Sequence, residues 1–419
     1  MTATLIKSVH LDGKTADVLI RDNKFSQISA AAGADIKADT VVDGRGKAIL
    51  PAFYNTHTHS VMGFLRGVGE DTPLQEWLEK HIWPREAKLT ADMLFPLARF
   101  GVLEMIKTGT VFFNDMFSGL ETIAAVHDMG VRAAISQVVA LDTFNPRITE
   151  QQIQDIKQAM ETPSPTPRIM KSLSAHAVYT VSERLFRYNI DIAKEHGAFL
   201  HTHASETAKE VDDCIEKYGI RPVQLLEKWG ALGEKTVLAH CLHLADDEIQ
   251  AIAATGTIVS HCPSSSLKLN SGQMDLQRMF DSGTRMTLGT DSVASNNSLS
   301  MIAEMKIAAL SAKNRAGSCV AGKVDDVYNM ATRGGAQAFG LDAGVIREGA
   351  LADFILVDLN HHSLMPNINL RSNMIYSADS SCITDVFCDG RPLMRDGVVP
   401  DEQEIKDEFA KVCSKLQAL

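Results

Sequence analysis

The chain has 419 residues and a formal net charge of −11, and 45% of its residues are apolar. That apolar content buries enough surface to offset chain entropy, which excludes disorder. The acidic balance gives no long-range attraction to phosphate, which excludes a general nucleic-acid binder. No apolar run approaches the roughly 18 residues of a membrane span, and the first residues lack the basic and apolar regions of a secretion signal. The seven cysteines are scattered and never spaced C-x-x-C; reduced thiols in a cytoplasmic protein follow from that pattern.

In chain order, residues 1 to about 50 read as short strands and turns. Ala16-Asp-Val-Leu-Ile-Arg alternates, and Asp22-Asn23 marks a turn. From about 47 to 345, β-branched runs alternate with helical stretches such as 93–107, 149–160 and 183–196. The runs open at Ala48, Thr110, Arg132, Arg168, Ala198, Thr236, Thr257 and Arg285, eight in all. Eight strands alternating with helices predict an α/β fold, a (β/α)8 TIM-type barrel, over 51–349. Beyond it, Ala352-Asp-Phe-Ile-Leu-Val-Asp and Ile383-Thr-Asp-Val-Phe-Cys again read as strands. Neither end is large enough to enclose a core alone. Residues 1–50 and 350–419 are therefore expected to form one small β-sandwich domain, with a charged amphipathic helix from Asp401 onward.

Barrels of this kind carry function where strands end, at the C-terminal rim. The strand ends here include Asn55-Thr-His57-Thr-His59, Asn114-Asp115, Ala175-His176, His201-Thr-His203-Ala-Ser-Glu206, His240, His261 and Asp291. Histidine falls at five of eight ends, although it fills only 14 of 419 positions. His57 and His59 are two apart on a strand, so they face the same side. With His203 and Asp291 they make three imidazoles and a carboxylate, an open site for one divalent metal that activates a bound water. Zinc is the expected ion, with iron and manganese as alternatives.

Glu206, three residues past His203, reaches such a water and passes a proton to a substrate nitrogen. His240 polarises or orients the reacting oxygen. Plainer roles compete with each of these: a structural histidine pair, a first-turn helix acid, and a core histidine satisfied by backbone. His201 shares the face of His203 and is ambiguous; His261 reads as a structural loop residue. Lys171 lies deep in the fourth strand and reads as a core or rim lysine, which favours a single metal. Neither a nucleophile elbow, nor a phosphate loop, nor a P-C-x-x-C zinc signature occurs.

Together with Leu50-Pro-Ala-Phe-Tyr-Asn-Thr-His-Thr-His-Ser, Ile82-Trp-Pro-Arg-Glu86, His261-Cys-Pro-Ser-Ser-Ser-Leu-Lys-Leu and Leu288-Gly-Thr-Asp-Ser, these motifs resemble the amidohydrolase superfamily over nearly the whole chain. Within it they look like the methylthioadenosine/S-adenosylhomocysteine deaminase branch. The resemblance implies His57, His59, His203 and Asp291 as ligands of one divalent ion. It also implies Glu206 as proton shuttle, His240 as its assistant and Asp291 as a second proton acceptor. Glu86 would bind ribose hydroxyls, His176 would line the 5′ side, and Trp77 and Arg147 would contact substrate.

The implied reaction is hydrolytic deamination of an adenine nucleoside (methylthioadenosine, S-adenosylhomocysteine, 5′-deoxyadenosine or adenosine) to the inosine analogue and ammonia. The partner is then a small molecule, with no nucleic acid or membrane, and a homo-oligomer is the default assembly. Two departures stand out. Gln137 occupies one of two places where relatives that grip a homocysteine carboxylate present arginine, with Arg147 at the other. Ser266 replaces the usual Asn of the loop near the metal. Residues 60–94, rich in Trp, Phe and Leu, are expected to form a covering loop. The rival activities are an aminohydrolase or chlorohydrolase for guanine, a pterin or a triazine, and, from another class, a catalytically inactive barrel scaffold.

Overall fold

The computed structural model describes residues 3–30, 37–117 and 119–418. Five strands open the chain: β1 (Ala3–Leu11), β2 (Lys14–Arg21), β3 (Lys24–Ala30), β4 (Thr40–Asp43) and β5 (Lys47–Pro51). Next come β6 (Phe53–His59), β7 (Thr110–Asp115), β8 (Arg132–Ala140), β9 (Ile169–Ala177) and β10 (Phe199–Ala204). They are followed by β11 (Thr236–His240), β12 (Ile258–His261), β13 (Arg285–Leu288) and β14 (Asp291–Ser292). Finally β15 (Phe354–Asp358), β16 (Ile383–Cys388) and β17 (Arg391–Met394) return to the opening strands.

β6 to β13 pair in parallel and in sequence, and β14 pairs with β6. β13 and β14 are two halves of the eighth strand, so this pairing joins the last strand to the first and gives the (β/α)8 barrel. The break between them falls at Gly289, where a Cβ would sit 2.7 Å from Ser260 Oγ and 2.8 Å from the backbone oxygen of His57. Only a residue without a side chain allows that approach. Every residue of β6, β7, β10 and β11 is buried, as parallel strands covered on both faces require. The helices between them carry ordinary end signals: Ser182 caps Glu183–His196 by accepting from Leu185 N, and Gly197 ends it at φ 60°.

The run from Ala48, expected to open the barrel, divides at Pro51 and Ala52. β5 pairs antiparallel with β15, and the barrel begins at Phe53. The proline closes one strand, and the amide of Ala52 turns to Asp353 O at 3.3 Å. His57 and His59 lie at the C-terminal end of this first barrel strand, on the strand itself as their spacing implied.

The terminal strands make a mixed sheet of order β17-β16-β15-β5-β1-β2-β3, with β4 on β1. β3 lies four places from β15, roughly 19 Å in a flat sheet. Yet the ring of Phe25 (β3) is 5.7 Å from that of Phe354 (β15), which stacks on Phe387 at 4.4 Å. The sheet therefore folds over on itself around these rings, with Ile6, Val18 and Leu356 in the same core. The last helix, Glu402–Ala418, packs on helix Ala91–Lys107 through Phe409 and Phe100, whose rings stack at 3.7 Å.

Candidate active site

The rim assembles four histidines (His59, His176, His203 and His240) and three carboxylates around one cavity of about 250 Å³, with His57 behind them. Ligand atoms of His57, His203, His240 and Asp291 all lie within 4.8 Å of one another. His59 joins through Asp291, whose Oδ1 is 3.3 Å from both His57 Nε2 and His59 Nε2. The rings of His59 and His203 stack at 5.6 Å, and those of His203 and His240 at 5.3 Å. His240 thus stands among the ligand atoms themselves, closer than an assisting role alone requires.

This donor set fits a divalent metal. His57 Nε2 is buried without a hydrogen-bond partner, while its Nδ1 is fixed by His201 Nε2 at 2.8 Å. His203 turns its Nδ1 to His176 O at 2.9 Å, leaving Nε2 for the cluster. Oδ2 of Asp291 accepts from Ser265 Oγ at 2.5 Å and Ser295 Oγ at 2.9 Å. Fixing the far nitrogen or oxygen of His57, His203 and Asp291 in this way sets their tautomer and orientation. Burial lowers His57 to about 4, so its imidazole stays neutral, the form a metal binds. Burial works to raise Asp291, but the His57 and His59 rings, each with Nε2 3.3 Å from its Oδ1, outweigh it and hold the carboxylate well below its ordinary range.

The strand ends pay for this convergence with unusual backbone. Ser205, His240, Cys241 and Asp291 have φ of 50°, 72°, 54° and 59°. Non-glycine residues in this region cost energy and cluster at functional sites.

Glu206 is buried, with Oε2 3.8 Å from His240 Nε2 and Oε1 accepting from Ser271 Oγ at 3.5 Å. Burial, then the charge of Asp291, pushes its carboxyl up to about 8. The first-turn duty that competed for Glu206 falls instead to Glu210, whose oxygens accept from Ser205 N at 2.9 Å and Glu206 N at 2.7 Å.

The covering segment is helical rather than a loop: Leu74–Trp77, a π-turn at Leu78–Ile82, then Trp83–Glu86. Leu74, Leu78, Ile82 and Glu86 recur every four residues and all line the cavity. At 3.6 residues per turn that spacing drifts by about 40° a step; the wider π-turn absorbs the drift and keeps Glu86 facing inward. Burial raises the Glu86 carboxyl. Trp77 donates its indole N–H to Val68 O at 3.2 Å and gives its ring to the cavity. His176 lines it too, with Nδ1 2.8 Å from Thr180 Oγ1.

Arg147 is not brought to the site. It is exposed on the turn Pro146–Ile148 and does not line the cavity. Lys171 points away as well, donating to Met160 O, which leaves one metal cluster at the rim. Ser266 bonds back to Cys262 O at 2.8 Å within its own helix, and its neighbour Ser265 is the residue that touches Asp291. His261 is buried outside the cavity lining. A second grouping, His361, His362 and Asp379, is a surface feature in which His361 bonds Ser363 Oγ at 2.8 Å and Ser381 Oγ at 3.0 Å.

An open imidazole–carboxylate cluster at the C-terminal rim of a parallel barrel defines a metal-dependent hydrolase. The family follows from comparison: the chain belongs to the amidohydrolase family, whose model matches residues 48–393. It is 39% identical over 398 residues to the 5′-deoxyadenosine deaminase of Methanothermobacter thermautotrophicus, covering 94% of this chain and 92% of that one. It is 40% identical over 380 residues to 5-methylthioadenosine/S-adenosylhomocysteine deaminase 1 of Archaeoglobus fulgidus, covering 90% of each. Among solved structures, a zinc-bound adenosine deaminase from Xanthomonas campestris superposes with a TM-score of 0.89 at 27% identity, over 100% of this chain and 99% of that one.

Proposed function

We propose that this chain is a metal-dependent deaminase of adenine nucleosides, which adds water at C6 of the purine and releases ammonia and the inosine analogue. The observation that carries the reading is Glu206: a buried carboxyl, held near 8, beside the histidine cluster and in one cavity with Glu86. His57, His59, His203 and Asp291 would hold the ion, with His240 close enough to contribute. The bound cation, zinc with iron or manganese as alternatives, supplies Lewis acidity and an activated water.

The remaining work belongs to the chain's own residues. Glu206 carries a proton near neutrality and gives it to the ring nitrogen beside C6 as the oxygen adds. It regains one from the attacking water and delivers it to the departing amine, so the C–N bond breaks and ammonia leaves. Asp291, held ionised by His57 and His59, accepts the second water proton and returns it to Glu206, so both carboxyl groups end as they began. His240 orients the attacking oxygen. Glu86 has no side-chain hydrogen bond within the described residues and faces the cavity, where it accepts from ribose hydroxyls. Trp77 and His176 line the rest of the nucleoside. The seven free cysteines accompany a cytoplasmic location, and no helix among the described residues is long and apolar enough to cross a membrane.

Ammonia release over a panel separates this reading from its rivals. Methylthioadenosine, 5′-deoxyadenosine and adenosine should turn over, and guanine and triazines should not. Turnover of guanine or a triazine without any adenosine would overturn it.

A further inference from the structure

The cavity wall is chemically lopsided. Its titratable lining consists of histidines, Tyr179 and the carboxyl groups of Glu86, Glu206 and Asp291; among the described residues, no lysine or arginine lines it. Where the covering segment meets the loop after β8, the wall is apolar. Trp83, Phe117 and Leu141 line it, and the ring of Phe144 packs on Trp83 with centroids 4.9 Å apart. Arg147, in the same loop, is exposed and outside the lining.

On the reading proposed above, adenine sits at the histidine cluster and the sugar hydroxyls at Glu86. The apolar wall is then left for the 5′ substituent. An amino-acid tail placed there would shed the hydration of its carboxylate with no lysine or arginine to replace it. An alkyl or alkylthio group meets no such penalty and buries its own apolar surface.

We infer that this chain selects adenine nucleosides whose 5′ group is uncharged and apolar, and discriminates against the zwitterionic tail of S-adenosylhomocysteine. Trp83, Phe117 and Leu141 are the specificity-determining residues, and Phe144 is a positioning residue that packs on Trp83. The test compares kcat/KM of the zinc-loaded protein for 5′-methylthioadenosine, 5′-butylthioadenosine and S-adenosylhomocysteine, the butyl group matching the length of the amino-acid tail without its charges. The two alkylthio compounds should agree to within about tenfold, and S-adenosylhomocysteine should fall at least about tenfold below both. Leu141→Arg, which places a guanidinium on the wall, should narrow that ratio by about tenfold.

Equal turnover of S-adenosylhomocysteine and the butylthio compound would overturn the inference, whether both are good substrates or both are poor through length alone. The wild-type ratio decides this even if Leu141→Arg does not fold. Absence of turnover on all three and on adenosine and 5′-deoxyadenosine would overturn the deaminase reading as well, so the two failures are distinguishable.

Discussion

Two clusters of buried charge lie at opposite ends of the barrel, and they are built on opposite terms. At the base, Arg132 opens β8 and donates from Nε to Asp353 Oδ2 at 2.9 Å, while its other arm meets Asp389. Tyr54 Oη adds a bond to the same Asp353 oxygen at 2.7 Å, and Asp389 N donates to the other at 2.6 Å. Asp353 is thereby satisfied by side chains from β6 and β8 and by backbone, tying the terminal sheet to the barrel. At the rim, burial is just as complete, but His57 Nε2 and His240 Nδ1 have no partner, and Glu206 is held protonated near neutrality. At the base both oxygens of Asp353 are paired, as a scaffold requires; at the rim ring nitrogens that could bind a metal stay unpaired in a cluster beside a cavity, as a ligand site requires.

The sharpest way to break this contrast is at Glu206. Glu206→Gln keeps the size of the side chain and should keep bound metal, while kcat falls by about 10²–10⁴-fold. A near-normal kcat would return Glu206 to the scaffold class. At the base the effect should land on stability instead. Asp353→Ala leaves Arg132 buried against one fewer anion, which costs about 3–5 kcal/mol. Denaturant unfolding should show that loss, while kcat per folded molecule stays unchanged.

Between these extremes stands His201, which touches His57 and not the cavity. His201→Phe should weaken metal affinity by about 10–100-fold, read as the chelator concentration needed to strip the ion, with little change in melting of the metal-free protein. The smallest effect concerns acid. Asp385 is buried; hydrogen bonds from Lys47, Thr384 and Arg395 outweigh that burial and lower its carboxyl below the ordinary value. A carboxyl depressed in the folded state contributes stability above its unfolded pKa and loses it as pH falls through the folded one. Stability should therefore decline below about pH 4, and Asp385→Asn should flatten that slope.

The site was legible in the sequence to the extent that a strand's two-residue period makes it so. His57 with His59, and His203 with Glu206 three residues on, announce themselves by spacing, and the strand count gives the barrel. What the spacing does not carry is contact between distant elements. His201 bonding His57, Ser265 and Ser295 holding Asp291, and Glu210 freeing Glu206 from capping all depend on how the loops return to the rim. The start of the first strand was misplaced because β5 and β6 form one apolar run, divided only by Pro51 and Ala52. The covering segment read as a loop because its four-residue repeat fits neither strand nor ordinary helix; the π-turn reconciles it. Arg147, assigned to substrate from resemblance, is exposed.

The most direct test of the rim cluster is reversible removal of its metal. The protein would be stripped with chelator, assayed for ammonia release from methylthioadenosine, then reloaded with zinc and assayed again. Activity should disappear with the metal and return with zinc in proportion to the ion bound. Full activity in metal-free protein, or none in zinc-loaded protein on any adenine nucleoside, would contradict it.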